Sequence, residues 1–382
     1  EHSLSTIAAS GGTPVALLAL RTMSPTPDWT SEGIVFTSLA NGVPNVWRIN
    51  VDEATGAPVG EPIQVLVSAP RSFAPSSTGA GTRLLFETGS GVNTIDRYAF
   101  DPALGRLVGG PQTVHRGPRH LGAMGVSPDG EWIATLLLEG KQRDIVRVRV
   151  SSGETRRLTD DSRLKDWIFW APDGSRLFFC LVPGKSGEVW SIRPDGSGRE
   201  CVARASDGAD FWPYAASPDS RTLYVEVGDD RRPHTVDLGA PLSQRLPRPL
   251  PPLSTGRQFS AYSWSPDGKW ILGYSFSPAD GIRPPLYLYD SHAGTYAAVG
   301  DLEAQYACAW LPDSRRILLL RPDGRLEVLD RVTGRRKDAG RVGASPRQRL
   351  RLLLSRDGRS LYLEGRIREQ DIWMLDFRRA PM

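Results

Sequence analysis

Short apolar runs alternate along the chain with short clusters of Ser, Pro, Asp and Gly, and no stretch sustains a 3.6-residue apolar period. The runs recur in a fixed order. Aromatic or apolar residues come first, as in Trp167–Trp170 and Tyr262–Trp264, and a turn follows. An alternating apolar run comes next, such as Trp132-Ile133-Ala134-Thr135-Leu136 or Arg176-Leu177-Phe178-Phe179. A third run then appears: Val46-Trp47-Arg48-Ile49, Asp144-Ile145-Val146-Arg147-Val148, Glu188-Val189-Trp190-Ser191-Ile192, Leu286-Tyr287-Leu288-Tyr289 and Asp371-Ile372-Trp373-Met374-Leu375. A second turn, for example His292-Ala293-Gly294 or Val332-Thr333-Gly334, leads to a weaker fourth run such as Thr155–Leu158. Runs rich in β-branched and aromatic residues, bounded by turn residues, predict four antiparallel strands joined by hairpins.

The first turn is the most regular feature. It reads Ser127-Pro128-Asp129-Gly130, Ala171-Pro172-Asp173-Gly174, Ser217-Pro218-Asp219-Ser220, Ser265-Pro266-Asp267-Gly268, Leu311-Pro312-Asp313-Ser314 and Ser355-Arg356-Asp357-Gly358. Proline pre-sets φ, aspartate accepts local amide hydrogen bonds, and glycine takes the left-handed conformation that joins a type I turn to a bulged hairpin. Gly130, Gly174 and Gly268 are therefore expected at positive φ. The aspartates are 44, 46, 48, 46 and 44 residues apart, and degenerate copies precede them at Thr26-Pro27-Asp28 and Ala74-Pro75-Ser76. Asp28 to Asp357 is 329 residues over seven intervals, or 47 each.

Four strands repeated at this period are the signature of propeller blades, each of which must stack on its neighbours to bury both faces. The expectation is an all-β chain forming a single β-propeller of eight four-stranded blades, with seven as the alternative. Blades fall near residues 13–67 (with the closure strand), 68–115, 116–160, 161–205, 206–250, 251–300, 301–342 and 343–378, and 1–12 is a leftover strand or tail. The last unit lacks its fourth strand, so Val15–Leu20 is expected to pair with Asp371–Leu375 and close the ring, removing both open edges.

Composition changes this picture little. The 39 Gly and 31 Pro are spread along the chain and suit many tight turns. Net charge is +4, with 47 basic residues nearly balanced by 43 acidic ones, which argues against nucleic acid as a partner. Three cysteines, Cys180, Cys201 and Cys308, make no disulfide framework and no metal-type spacing. They read as buried thiols, with one Cys180–Cys201 bridge left open. No apolar run approaches the ~20 residues needed to span a bilayer, so no direct membrane insertion is expected. The chain begins at Glu1, as a processed protein or excised domain would.

These repeats resemble the TolB-type β-propeller repeats of bacteria, a WD-repeat-like family whose consensus runs aromatic-Ser-Pro-Asp-Gly, apolar strand, then Asp-Ile-Trp or Asp-Ile-Tyr. The resemblance covers residues 120–377 well and 1–119 loosely. The Asp371-Ile372-Trp373 ending is also similar to the closing strand of propellers fused behind bacterial serine/threonine kinases or winged-helix regulators. It implies a binding, sensing or scaffold module, and an extracytoplasmic setting more than a cytoplasmic one.

The search for chemistry yields little. There is no Gly-x-Ser-x-Gly elbow, His-Glu-x-x-His pair, phosphate-binding loop or dinucleotide fingerprint. The turn aspartates are expected to be structural. Five histidines, His2, His115, His120, His234 and His292, are scattered. No catalytic residue, cofactor or metal is assigned. Binding is expected on the rim opposite the Ser-Pro-Asp-Gly turns, at Arg119, His120, Lys165, Asp166, Trp212, Arg231 and Tyr306. This mixed polar and aromatic set suits a protein or peptide partner, with a small ligand in the central channel as a further expectation. The alternative is a lyase- or lactonase-type propeller enzyme with His115 or His120 and carboxylates at the channel mouth.

Overall fold

A computed structural model of the chain describes residues 2–20, 27–30, 32–38, 45–65, 72–78, 83–117, 120–139, 142–182, 187–205, 209–228, 230–276, 285–303, 307–343 and 352–376. The chain is all-β, with one short 3-10 turn at Leu242–Gln244 among the described residues. It divides into two compact units, Glu1–Val92 with Ile367–Met382, and Asn93–Arg366.

In the first unit, strands β1 (His2–Thr6) and β2 (Val15–Leu20) form a hairpin with His2 opposite Leu20 and Thr6 opposite Val15. Strands β3 (Asp28–Thr30), β4 (Gly33–Ser38), β5 (Asn45–Val51) and β6 (Pro58–Gln64) make one four-stranded sheet. Strand β7 (Ser72–Ser77) pairs with the first half of β8 (Arg83–Asp101). Leu4, Leu17, Ile34, Phe36 and Ile49 share one core, and Val35, Val46, Leu84 and Phe86 another, onto which Leu375 packs. The expected closure between Val15–Leu20 and Asp371–Leu375 is not formed: β2 has β1 as its partner in a two-stranded sheet. The connection 7–14 is short, and closing a short loop costs less chain entropy than a long-range pairing. Ile372, Trp373 and Met374 remain exposed.

The second unit holds β9 (Arg106–Gly117), then five four-stranded sheets in chain order. The first is β10 (His120–Val126), β11 (Trp132–Glu139), β12 (Gln142–Arg149) and β13 (Thr155–Arg157); the second is β14 (Leu164–Trp170), β15 (Leu177–Val182), β16 (Glu188–Ile192) and β17 (Glu200–Arg204). The third is β18 (Phe211–Ala216), β19 (Thr222–Val227), β20 (Arg232–Asp237) and β21 (Arg248–Pro249); the fourth is β22 (Gln258–Trp264), β23 (Trp270–Phe276), β24 (Pro285–Asp290) and β25 (Thr295–Glu303). The fifth is β26 (Ala307–Trp310), β27 (Arg316–Leu320), β28 (Arg325–Asp330) and β29 (Arg336–Arg341). The unit is completed by β30 (Leu352–Leu354) and the first part of β31 (Ser360–Asp376), which lie beside the second half of β8, itself paired with β9. The Phe100 N–H donates to the Arg359 carbonyl at 2.9 Å across this seam.

Strand β8 runs through 19 residues and β31 through 17. The first strands β10, β14, β18, β22, β26 and β30 pack each against the next in that order, and β30 also packs against β10.

The second strands show why the apolar runs lack clean alternation. In β11, Ile133 and Leu137 join Met124, Val146 and Val148, while Ala134 and Leu136 face Ile168, Leu177 and Phe179 of the following sheet. Both faces are covered, so each buried Leu or Ile contributes roughly 1.5–3 kcal/mol and the run is apolar apart from the buried Thr135. Outer strands such as β13 are exposed throughout.

The turns follow the sequence reading. Gly130, Gly174, Gly268 and Gly358 have φ of 73°, 76°, 74° and 72°. Ser127 Oγ donates to Asp129 and accepts the Trp132 N–H at 2.9 Å; the same pattern recurs at Ser217–Asp219–Thr222, Ser265–Asp267–Trp270 and Ser355–Asp357–Ser360. The two turns with serine in place of glycine hold Ser220 and Ser314 at φ 60° and 55°. Their hydroxyls accept the amide N–H of Asp173 at 3.2 Å and of Asp267 at 2.9 Å, each from the preceding repeat's turn.

Candidate functional site

Four consecutive first strands of the second unit carry a bulge at the corresponding place, between Leu121 and Met124, Asp166 and Phe169, Pro213 and Ala215, and Ala261 and Ser263. A bulge adds one residue to one strand and re-aims a side chain, which is why bulges gather beside functional sites. Here the added residues include Trp167, Tyr214 and Tyr262. Pro213 is tolerated in its strand because the bulge interrupts the hydrogen-bond ladder there. Trp167 has φ 54°, a left-handed conformation costing on the order of 1–3 kcal/mol for a bulky residue. Its N–H is fixed by the Asp166 carboxylate at 2.9 Å, and Asp166 in turn accepts from Arg143 at 2.9 Å.

The bulges bring aromatic rings of neighbouring sheets together. Trp167 lies 4.7 Å from Tyr214 and 6.1 Å from Trp212, edge to face with the latter. The Arg231 guanidinium stands 5.0 Å over the Trp212 ring and donates to the Tyr214 hydroxyl at 3.0 Å. Arg231 has φ 52° and extends from the β19–β20 connection. Beneath it lies Glu226, on β19 directly opposite Trp212 and with no exposure to solvent. The nearest Arg231 nitrogen is 4.0 Å from its carboxylate, and neither carboxylate oxygen has a hydrogen-bond partner. Burial raises the Glu226 pKa to about 7; the nearby Ser260 and Tyr214 hydroxyls, which approach its carboxylate outside good hydrogen-bond geometry, and the charge of Arg231 temper that shift. Tyr224, on the same face of β19, donates instead to the Phe259 carbonyl at 2.8 Å. A cleft of about 300 Å³ beside it is lined by Pro233, Leu250, Leu253, Phe259 and Tyr296.

The sequence-assigned rim residues separate on this map. Trp212, Arg231 and Asp166 meet at the aromatic cluster. Lys165 does not belong to an accessible rim. Its side chain has 0% exposure, and its ammonium donates to Asp144 at 3.2 Å, to the Asp161 carboxylate at 2.8 Å and to the Asp161 carbonyl at 2.9 Å. Thr159 and Gln142 also donate to Asp144, at 3.0 and 2.8 Å, and Arg199 pairs with Asp161. Burial would raise the Asp161 pKa, but the bonds from Lys165 and Arg199 outweigh it and hold the carboxyl far below its ordinary range. The adjacent charged residues of the sequence Arg163-Leu164-Lys165-Asp166 hid this difference, because strand alternation sends 165 inward. Arg119 and Tyr306 lie outside the described residues, as does the side chain of His120, whose backbone is on β10. Glu226, Tyr214 and Trp167 were not singled out from the sequence. The usable signal was weak, because second strands also hold Glu87 and Glu364 in β8 and β31.

His115 is half-buried on β9 and its pKa is lowered by burial; His234 and His292 sit on β20 and in the β24–β25 turn. Among the described residues, no three His, Cys, Asp or Glu side chains converge as a metal group. The three cysteines are free, and burial pushes the Cys308 thiol up to about 12.

No family model matches the chain. Among solved structures, a putative TolB from Agrobacterium tumefaciens aligns with 73% of this chain and 99% of its own, at a TM-score of 0.53 and 14% identity. TolB from Acinetobacter baumannii aligns over 89% of this chain and 79% of its own at 0.48 and 14% identity. An oligogalacturonate lyase from Vibrio parahaemolyticus aligns over 78% and 98% at 0.43 and 10% identity. The first of these likenesses shows a β-propeller fold, and at this identity it shows the fold alone. In sequence, 114 residues are 27% identical to an uncharacterised protein of Agrobacterium fabrum, and the chain spans 39% of that relative.

Proposed function

We propose that this chain is a non-catalytic β-propeller binding module, that Asn93–Arg366 is a six-bladed ring, and that a protein or peptide docks on the cluster of Trp167, Trp212, Tyr214 and Arg231. The observation carrying the docking reading is the strained Trp167 in a bulge, stacked with aromatic side chains of the next sheet. Strain of that kind persists where surrounding structure enforces it, and it clusters at ligand sites. Large, half-buried aromatic residues and arginine are also the side chains that dominate binding energy at protein interfaces. The cyclic packing of β10, β14, β18, β22, β26 and β30 supports the blade count. The resemblance to TolB-type repeats supports an extracytoplasmic setting in an envelope or signalling protein.

The test is a screen of the purified chain against a displayed peptide library, with affinities measured by calorimetry. Trp212→Ala is expected to weaken captured peptides at least tenfold while leaving the far-UV spectrum unchanged. Equal binding by wild type and Trp212→Ala overturns the docking reading. Divalent-metal-dependent turnover lost in His120→Ala would replace it with the enzymatic one.

A further inference from the structure

Arg231 and Glu226 are an ion pair that stops short. A guanidinium and a carboxylate normally meet in a two-pronged pair with N–O distances near ~2.8 Å. Here the nearest approach is 4.0 Å, and both oxygens of a carboxylate with no solvent exposure go without a hydrogen bond. Yet the surroundings suit a guanidinium: an indole face at 5.0 Å from its carbon, a phenol oxygen accepting at 3.0 Å, and a carboxylate beneath. Arg231 reaches this place from a residue held at φ 52°, with its N–H tied to the Gly228 carbonyl at 3.0 Å. Its side chain is 38% exposed, so of the members of the pair it is the one that can leave.

We propose that Trp212, Tyr214 and Glu226 form a guanidinium site, that Arg231 occupies it as an imperfect internal stand-in, and that the ligand is an arginine side chain of a partner peptide. This rests on the docking reading and specifies its chemistry. The incoming arginine displaces Arg231, stacks on Trp212 and completes the two hydrogen bonds that Glu226 lacks. A planar fork fits this task and a lysine ammonium does not, because only the guanidinium can stack on the ring and pair in two prongs at once. Arg231 acts as a gate whose displacement lowers the apparent affinity of the wild type.

The experiment measures calorimetric binding of the peptide Gly-Gly-Arg-Gly-Gly, with citrulline and lysine versions as controls. Arg231→Ala and Arg231→Gln should each bind the arginine peptide at least tenfold more tightly than wild type. The citrulline and lysine peptides should show no such gain, and Glu226→Gln added to Arg231→Ala should abolish it. N-acetyl-arginine amide should raise the melting temperature of Arg231→Ala, and N-acetyl-citrulline amide should not. Absence of the gain in both folded variants, an equal gain for citrulline or lysine, or its survival in the double variant overturns the proposal. If Trp212→Ala weakens library peptides while Arg231→Ala gains nothing for arginine, docking stands and the guanidinium assignment falls. If the arginine gain is present and Trp212→Ala leaves library peptides unaffected, the guanidinium site stands and the docking reading falls.

Discussion

Lys165 and Glu226 are both fully buried charged side chains in the Asn93–Arg366 unit, on strands of adjacent sheets, and their surroundings are opposite. Lys165 is met by two carboxylates and a carbonyl, and its buried partner Asp144 is itself hydrogen-bonded by Thr159 and Gln142. Glu226 has an aromatic lid, an arginine no nearer than 4.0 Å and no donor in good hydrogen-bond geometry. Removing a charge from water is expensive, and partners must offset that cost. The first cluster is closed in this way and reads as a staple between the β10–β13 and β14–β17 sheets. The second is left open, beside a strained tryptophan, and reads as a place built for something else. The same burial therefore marks structure in one case and a candidate ligand site in the other; satisfaction of the polar atoms separates them.

The comparison breaks most visibly at Lys165. Lys165→Ala removes the ammonium from the buried Asp144 and leaves it only Arg157 at 3.6 Å as a cationic partner, so unfolding in urea should show a loss of about 3 kcal/mol, the low end for a broken buried pair. A loss under ~1 kcal/mol, the scale of an exposed pair, would mean that the cluster is not a staple.

Glu226→Gln should go the other way. The folded-state pKa of Glu226, about 7, lies above its ordinary 4.5, so the ionised form is disfavoured by folding. Below pH 4.5 the group is protonated in both states and costs nothing. Stability is lost as pH rises from 4.5 to 7 and the loss is complete above 7, at about 3 kcal/mol for such a shift. The groups facing Glu226 are Tyr214 on β18, Arg231 in the β19–β20 connection and Ser260 on β22. Glu226→Gln should therefore flatten the pH profile in that window and be the more stable protein at pH 8. Asp161 supplies the contrast: its pKa is depressed, so its contribution is present above pH 3.8 and disappears as pH falls below that. Identical wild-type and Glu226→Gln profiles between pH 4 and 8 would show that water or another partner already satisfies the carboxylate.

The smallest effect sharpens the structural side. Ser220 carries the left-handed strain that glycine avoids and offsets it with the hydrogen bond from Asp173. Ser220→Ala keeps the strain and loses the bond, so a loss of about 0.5–1.5 kcal/mol is expected. Ser220→Gly removes both and should stay within about 0.5 kcal/mol of wild type, because relief of the left-handed cost compensates. Equal losses in the two variants would assign the effect to packing of the side chain.

What the sequence determined by itself is local. Proline, aspartate and glycine at fixed offsets dictate the turn wherever they occur, so positive φ at Gly130, Gly174 and Gly268 was legible, as were the strands between turns and the burial of Cys180 and Cys308. Tertiary structure decided everything that depends on which copy meets which. Repeat spacing counts turns; it cannot say that β8 and β31 run long, or that Val15–Leu20 is taken by His2–Thr6. A bulge changes strand register by one residue without a required sequence, so the aiming of Trp167 and Tyr214 was invisible. Lys165 and Glu226 differ only in neighbours brought from other strands, Asp144 and Asp161 for one and Trp212 and Arg231 for the other. Hydrogen bonds act over about 3 Å of space, and no spacing along the chain reports that distance.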